Sequence, residues 1–389
     1  MASGTESGRV DGESSSVSTN TLSYEHIFND DLLMSQADLA YAKSQFPEII
    51  HVLDYPRLRE KFAAYEKEAN RAGDRVRCLG FTAVVSAMLA LIAIATKPVW
   101  PGASWTRWVA LVIELVGMCA ALIAAGGLWL GPWKRRWLES RLMTERLRQW
   151  HFQLMLRRGR EVDSSGEGQN AISAFKQERD RWFEDFLTTC EGKLDTQLEL
   201  LTNEPGDTGV WLHAPPTNYD DKSTLVSNVL AAYARLRLDH QYFYVIYKLR
   251  KVSDEPMWLF LKWPAFRQLA ALSGLASVCF VGALICSAVL VYAHAFGVPD
   301  DVELHIRTGA IVFALIGAAL RTIQEGLGLD QEIERYSDYR GRTFQLRDRF
   351  NRTTDIKERL HLMAELELAS VDELAGFLRT HNNATFVLQ

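Results

Sequence analysis

Four polar side chains sit where the sequence is otherwise apolar, and they carry its most informative chemistry. Glu114 lies six residues into an apolar stretch at 108–131, and Arg321, Gln324 and Glu325 gather at the end of another. An ionisable group at the centre of a membrane helix costs roughly 2.5–3.5 kcal/mol on insertion scales, so each needs a partner or a wet path. Two readings are open. Either Arg321 snorkels and Glu114 hydrogen-bonds across a helix bundle, or all four are pore-lining groups facing a water-filled path. Other chemistry is thin. His361 and Glu365 stand at i,i+4 on a predicted helix, a spacing that suits a metal but equally a solvated face. Cys190 lies on an apolar helical stripe. There is no G-x-x-x-x-G-K-[ST] phosphate loop, no G-x-G-x-x-G after a strand, no G-x-S-x-G elbow and no paired C-x-x-C. No catalytic residue, metal or cofactor is expected, and the chain reads as a non-enzyme.

The elements that must position these groups are membrane helices. About 20 apolar residues cross roughly 30 Å of hydrocarbon. Residues 78–96 hold no charge over 19 positions, 108–131 are apolar apart from Glu114, and 269–296 run for 28 residues without Asp, Glu, Lys or Arg. The fourth stretch, 308–320, has only 13 residues before Arg321, so it spans only if polar residues at its ends enter the membrane boundary. Its pairing with 269–296 favours a span to about 326. The connections 97–107 and 297–307 are short, so each pair predicts a helical hairpin with both ends on one side. Small residues that permit close packing recur, including Gly117, Ala121, Ser273 and Gly317.

Charge sets the orientation. Of Lys and Arg, the hairpin loops hold only Lys97, Arg107 and Arg307. The opposite flanks carry Arg71, Arg75, Arg77, Lys134, Arg135 and Arg136 around the first hairpin, and Lys248, Arg250, Lys251, Lys262 and Arg267 around the second. The positive-inside rule predicts a multi-pass protein of the plasma (inner) membrane with both termini cytoplasmic. Residues 1–20 are Ser/Gly-rich without an apolar core and read as a disordered tail rather than a signal peptide. The 389 residues carry a net charge of −5, so there is no basic surplus to suggest nucleic acid, and five cysteines make no disulfide framework.

Two echoes run through the chain. R-W-L-E-S-R-L-M-T-E-R-L-R at 136–148 and R-Y-S-D-Y-R-G-R-T-F-Q-L-R at 335–347 share Arg, Thr and Leu positions at an offset of 199, which also nearly superposes the hairpins. Before each hairpin stands a shorter echo, Y-P-R-L-R at 55–59 and Y-A-R-L-R at 233–237. The repeated unit reads as a cytoplasmic helix, a hairpin and a second cytoplasmic helix. Trp137, Arg141, Thr144 and Arg148 step by 4, 3 and 4 and share one helix face, as do Tyr336, Arg340, Thr343 and Arg347. This face is either a snorkelling and helix-pairing surface beneath the membrane or a coupling surface that passes a cytoplasmic signal to the hairpins.

Between the units, apolar residues from Ile172 to Leu201 predict an amphipathic helix over 171–203, followed by a Pro/Gly-rich loop at about 204–221 and a helix from 224 to about 250. Near the end, Ser370-x-x-Glu373 has capping-box spacing and predicts a short helix opening there and running through Leu378. Residues 384–388 read as an edge strand or a docked tail. The expectation is an all-α membrane protein with two transmembrane hairpins, four spans and a cytoplasmic helical bundle. Its parts are a tail at 1–20, a first unit at 21–152, a helical linker region at 153–223 and a second unit at 224–389.

The pattern R-x-x-T-E-R-L-R-x-W-x-F (Arg141, Thr144, Glu145, Arg146, Leu147, Arg148, Trp150, Phe152) after a membrane hairpin resembles the SLATT family of two-transmembrane effector domains. Y-A-R-L-R-L-D-H-Q-Y-F-Y at 233–244 and E-L-A-G-F-L-R-T-H-N-N-A-T-F-V-L at 373–388 are similar to that family as well. The resemblance covers about 40–152 and 224–389. It implies a pore-forming or membrane-perturbing effector of bacterial conflict and antiviral defence systems, acting in the bilayer as a homo-oligomer. Such an effector works with a separate sensor or a nucleotide-signal-producing protein. This chain departs from the simple pattern by carrying two hairpins and no recognisable nucleotide-binding module. A constitutive channel, a small transporter and a membrane-anchored signalling scaffold are the competing readings.

Overall fold

A computed structural model describes residues 30–99, 104–196, 219, 224–250 and 257–383, and among them there is no strand. The N-terminal tail and residues 384–388 lie outside the described residues. Helix α1 (Gln36–Gln45) opens with a capping box in which Ser35 and Asp38 exchange side-chain and backbone bonds. A short α2 (Ile50–Leu53) leads to α3 (Pro56–Thr96), whose first residue is the proline that suits a helix start. Its 41 residues extend about 60 Å, roughly twice the thickness of a bilayer core. One rod thus carries the chain from the soluble bundle through the first span.

The first hairpin closes with α4 (Ser104–Trp129). Pro132 then forces a new start, and α5 (Trp133–Arg157) runs back into the bundle. Short α6 (Gly159–Ser164) precedes α7 (Gln169–Cys190). The predicted helix over 171–203 is therefore interrupted after Cys190 and helical again at 194–196, and residues 197–203 lie outside the described residues. Glu191 leaves it in an extended conformation, and Gly192 turns the chain at φ +72°. Leu194 serves instead in a small core with Trp137, Leu138 and Val371, where a continuing helix would not have placed it.

The second half begins with α8 (Thr224–Tyr233), which passes through a π-helical segment, Ala234–Asp239, into α9 (His240–Lys248). A 3₁₀ turn (Met257–Lys262) precedes the second hairpin, formed by α10 (Ala265–Ala295) and α11 (Asp300–Leu327). The fourth span is thus longer than its apolar stretch. Its first turn carries Asp300, Asp301 and Glu303, which suit a helix N-terminus, so the helix begins well before residue 308. Gly328, at φ +63°, supplies the left-handed residue that ends α11 and starts α12 (Leu329–Arg352). Helix α13 (Ile356–Asn383) completes the described chain. The predicted start at Ser370 is wrong. Leu362, Met363, Leu366 and Ala369 continue a buried stripe across it, and Ser370 donates its hydroxyl to the Leu366 carbonyl at 2.9 Å, deep inside one helix.

The spans form a row. Helix α3 packs on α4 and on α11, and α11 packs on α10, so α3 and α11 make the central, more buried pair. Val84 of α3 meets Leu272, Ala319 and Ile323, which fixes both hairpins in the same direction. The outward faces are apolar and bare: Leu122 is 72% exposed, Ile123 74% and Val291 71%. Such continuous apolar surface has no place in water, and this is an all-α membrane protein.

The bundle has one principal core. Leu58, Phe62 and Trp150 come from the first half, Phe175, Phe183 and Phe186 from α7, and Tyr233, Phe350 and Leu366 from the second half. A second core at the membrane end joins Ala72, Val76, Trp137 and Leu142 to Leu374 and Leu378. Gly73 permits this approach, since a Cβ there would lie 2.8 Å from Trp137 Nε1.

Candidate functional site

The four polar residues of the spans occupy two depths. Glu114 is paired with Lys97 at the loop end of the first hairpin. It lies 15 residues before Trp129, or about 22 Å of helix from the bundle end of α4. Arg321 lies only six residues from Leu327, about 9 Å from the bundle end of α11. The structure therefore does not bring Glu114 together with Arg321. At the bundle end the polar groups do meet. Arg321 donates to Gln324 Oε1 at 3.3 Å, Ser273 of α10 donates to the same oxygen at 3.3 Å, and Gln324 Nε2 donates to Asp330 Oδ2 at 2.8 Å. Gln324 is buried, whereas Arg321 and Glu325 are exposed.

The two predicted coupling faces are packed mainly against protein. Trp137 meets Phe377 edge to face and His381 at a tilt, at centroid distances of 5.6 and 4.7 Å. Arg141 pairs with Glu145 at 2.6 Å, and Arg148 with Asp31 at 2.8 Å and Glu145 at 3.2 Å. Thr144 donates to the Ser140 carbonyl, and Thr343 to the Tyr339 carbonyl, the same bond four residues back. In α12, Tyr336 meets the Tyr244 hydroxyl at 3.4 Å and Arg347 pairs with Asp239 at 2.5 Å, while Arg340 points to solvent.

Between these faces lies a pair that the sequence pattern did not single out. Arg237 grips Glu367 bidentately, Nε to Oε1 at 2.8 Å and Nη2 to Oε2 at 3.0 Å, with both side chains buried. Tyr233 donates to the same Oε1 at 2.8 Å, and Tyr339 bonds Ser370 and Gln241 alongside. The echo at 233–237 contains Arg237, but nothing local marks Glu367, 130 residues away. Burial raises the pKa of Glu145, yet Arg141, Arg148 and Arg237 outweigh it and hold the carboxyl down at about 2. Glu373 goes the other way, pushed up by burial despite Arg335 beside it. Burial pulls His151 down to about 3, with Arg179, Arg59 and Arg237 adding to the effect.

The chemistry of this region is electrostatic and structural. Cys190 is buried and its thiol pKa is pushed up by that burial, the opposite of an activated nucleophile. His361 and Glu365 approach to 3.2 Å on an exposed face. Among the described residues no three His, Cys, Asp or Glu side chains gather to hold a metal ion. Beneath the membrane a polar cavity of about 140 Å³ is lined by Arg77, Lys248, Arg250 and Lys262, with Glu332 facing them. No family model, no curated protein and no solved structure matches the chain.

Proposed function

We propose that this protein is a membrane effector whose hairpins, assembled from several copies, form or gate an ion-permeable path under control of its helical bundle. The observation that carries the reading is α3: a single 41-residue helix is part of the bundle core at Phe62 and part of the spans at Val84. Any rearrangement of the bundle is thereby transmitted directly to the membrane. The basic flanks at the bundle end support a topology with bundle and termini in the cytoplasm and the spans in the plasma membrane. The two hairpin segments are read as duplicated units, so one chain acts as a built-in pair, and symmetric association of further copies closes the path. The resemblance to SLATT domains supports a role in antiviral defence, with the trigger supplied by a separate sensor or a nucleotide-signal-producing partner.

A scaffold that merely anchors a signalling bundle is the second reading. It is favoured by the row arrangement, in which α3 and α11 pack on each other between α4 and α10. Membrane potential followed with a voltage-sensitive dye in bacteria expressing the chain, with and without its neighbouring genes, separates the two. Depolarisation that is altered by Glu114→Ala or Arg321→Ala, with insertion intact, supports the effector. Preserved potential in the presence of the trigger supports the scaffold.

A further inference from the structure

The spans leave a cavity of about 470 Å³ at their bundle end, touched by α3, α4, α5, α11 and α13. Its outer wall is apolar, built from Leu122, Ala125, Gly126 and Trp129. It opens toward the bilayer, since Leu122 and Trp129 are 72% and 89% exposed. Its inner end holds His381, which is only 6% exposed and lies against Trp137 and Phe377 at centroid distances of 4.7 and 4.5 Å. Neither ring nitrogen has a hydrogen-bond partner among the described residues. A buried polar group left unpaired is costly, so an imidazole at the end of an apolar cavity calls for an occupant that can bond it.

The surroundings set the charge of that occupant. Burial pulls His381 down to about 3, which leaves the imidazole neutral. Lys134 already donates to the Asn382 carbonyl at 2.7 Å. Arg77 is opposed by Glu332, whose carboxyl burial would raise but Lys248, Arg335 and Arg77 hold below its ordinary value. Neither cation is left for a phosphate, so a neutral head is favoured. A hydroxyl suits it best. It both donates and accepts, so it pairs with His381 in either tautomer, whereas a carbonyl only accepts. Depth agrees. Arg77 lies 19 residues before the end of α3, about 28 Å of helix, which puts it at the boundary of a hydrocarbon layer roughly 30 Å thick. Leu122 lies seven residues from Trp129, about 10 Å further into the layer. A molecule filling the cavity thus has its head at the boundary and its tail in hydrocarbon.

We propose that this cavity is a site for an uncharged lipid alcohol of the diacylglycerol class, its hydroxyl bonded to His381 and an acyl chain laid along Leu122 and Gly126. Apolar walls with one placed polar group are the usual composition of a small-molecule site. The lipid bridges α4 and α11 to α13, where both hairpins meet the bundle. This inference requires only the membrane position of the chain and is independent of whether a pore forms.

The test is native mass spectrometry of the full-length protein in mild detergent. It is titrated with dioleoylglycerol, with the same lipid acetylated on its hydroxyl, or with dioleoylphosphatidylglycerol. Dioleoylglycerol adducts should persist to a lipid concentration about tenfold lower than either of the others. His381→Phe keeps a ring against Trp137 and Phe377 but removes both nitrogens, and it should bring the free and acetylated lipids level. Gly126→Phe, whose Cβ would meet nothing within 4 Å, should fill the apolar end and weaken dioleoylglycerol retention even if His381→Phe folds poorly. Equal retention of the free and acetylated lipids by the native chain would overturn the proposal. Tighter retention of dioleoylphosphatidylglycerol would overturn it too, by assigning the site to an anion. So would adducts that form only in Phe386→Ser/Leu388→Ser, which would assign the cavity to the chain's own C-terminal segment.

Discussion

Arg59 and Arg237 occupy the same place in two five-residue echoes, yet they live in different worlds. Arg59 reaches Asp54, five residues away, at 2.6 Å, with the two side chains 18% and 28% exposed. Arg237 is sealed in the core and holds Glu367 from the C-terminal helix. The arms that contain them differ in the same way. The first runs unbroken from Pro56 to Thr96, whereas the second stops at Lys248 and resumes at Ala265, with 21 more residues between the paired echoes than the first arm has. The first arm is one continuous rod anchored in the bundle by apolar packing at Leu58 and Phe62. In the second, one α-helix stops at Lys248 and the next starts at Ala265, and the bundle half is fixed by a buried ionic clamp. Similar local sequence has been put to two mechanical uses.

The sharpest way to break this contrast is to remove one partner from each ion pair. Glu367→Ala should lose about 3–5 kcal/mol, because it strands a buried guanidinium, while Asp54→Ala should cost under about 1 kcal/mol. Unfolding midpoints of the detergent-solubilised variants measure both. A double change, Arg237→Met with Glu367→Leu, should recover most of the loss.

The rod itself is tested next. Lys67 is exposed on α3, so Lys67→Pro removes no packing but should cost about 3 kcal/mol and kink the helix. If α3 transmits the bundle's state, this variant should still insert but lose depolarisation; full depolarisation with a broken α3 would mean that coupling runs through the second arm.

A smaller effect probes the junction between bundle and spans. Gly73→Ala should cost about 1–3 kcal/mol through its clash with Trp137. Gly341→Ala, on α12 with nothing within 4 Å of the added Cβ, should instead stabilise by up to about 1 kcal/mol. Thermal unfolding of the two variants, compared with the parent, reads the sign directly.

His151 lies under the influence of both echo arginines, and it gives the gentlest test. Its folded pKa is depressed, so the unfolded chain binds a proton first as pH falls. Stability is therefore full above 6.5 and declines as pH drops from there toward 3, approaching about 1.4 kcal/mol per pH unit. His151→Leu should flatten that limb between pH 6.5 and 5.5. An unchanged acid limb in this variant would show that other groups set it.

Much of the architecture was legible in the sequence. The four spans, the two hairpins and their common direction follow from apolar length and short connections, and the structure places helices across all four. Where the reading failed, a long-range partner had overridden a local rule. Ser370 looks like a cap but lies within a helix stabilised by the stripe Leu362, Leu366 and Ala369. The helix expected to continue beyond Cys190 turns at Gly192 so that Leu194 can reach Trp137. Of the candidate site residues, Trp137, Thr144 and Thr343 were found by periodicity, but that they face protein could not be.

What the sequence determined by itself is the class of protein: a membrane helix is specified within about 20 residues, because the bilayer, not a distant segment, satisfies its apolar surface. What only the tertiary structure decided is the pairing of charges. Glu145 among three arginines and Glu367 beneath Arg237 both depend on segments far apart in the chain, and a charge is buried or exposed only once those segments have met.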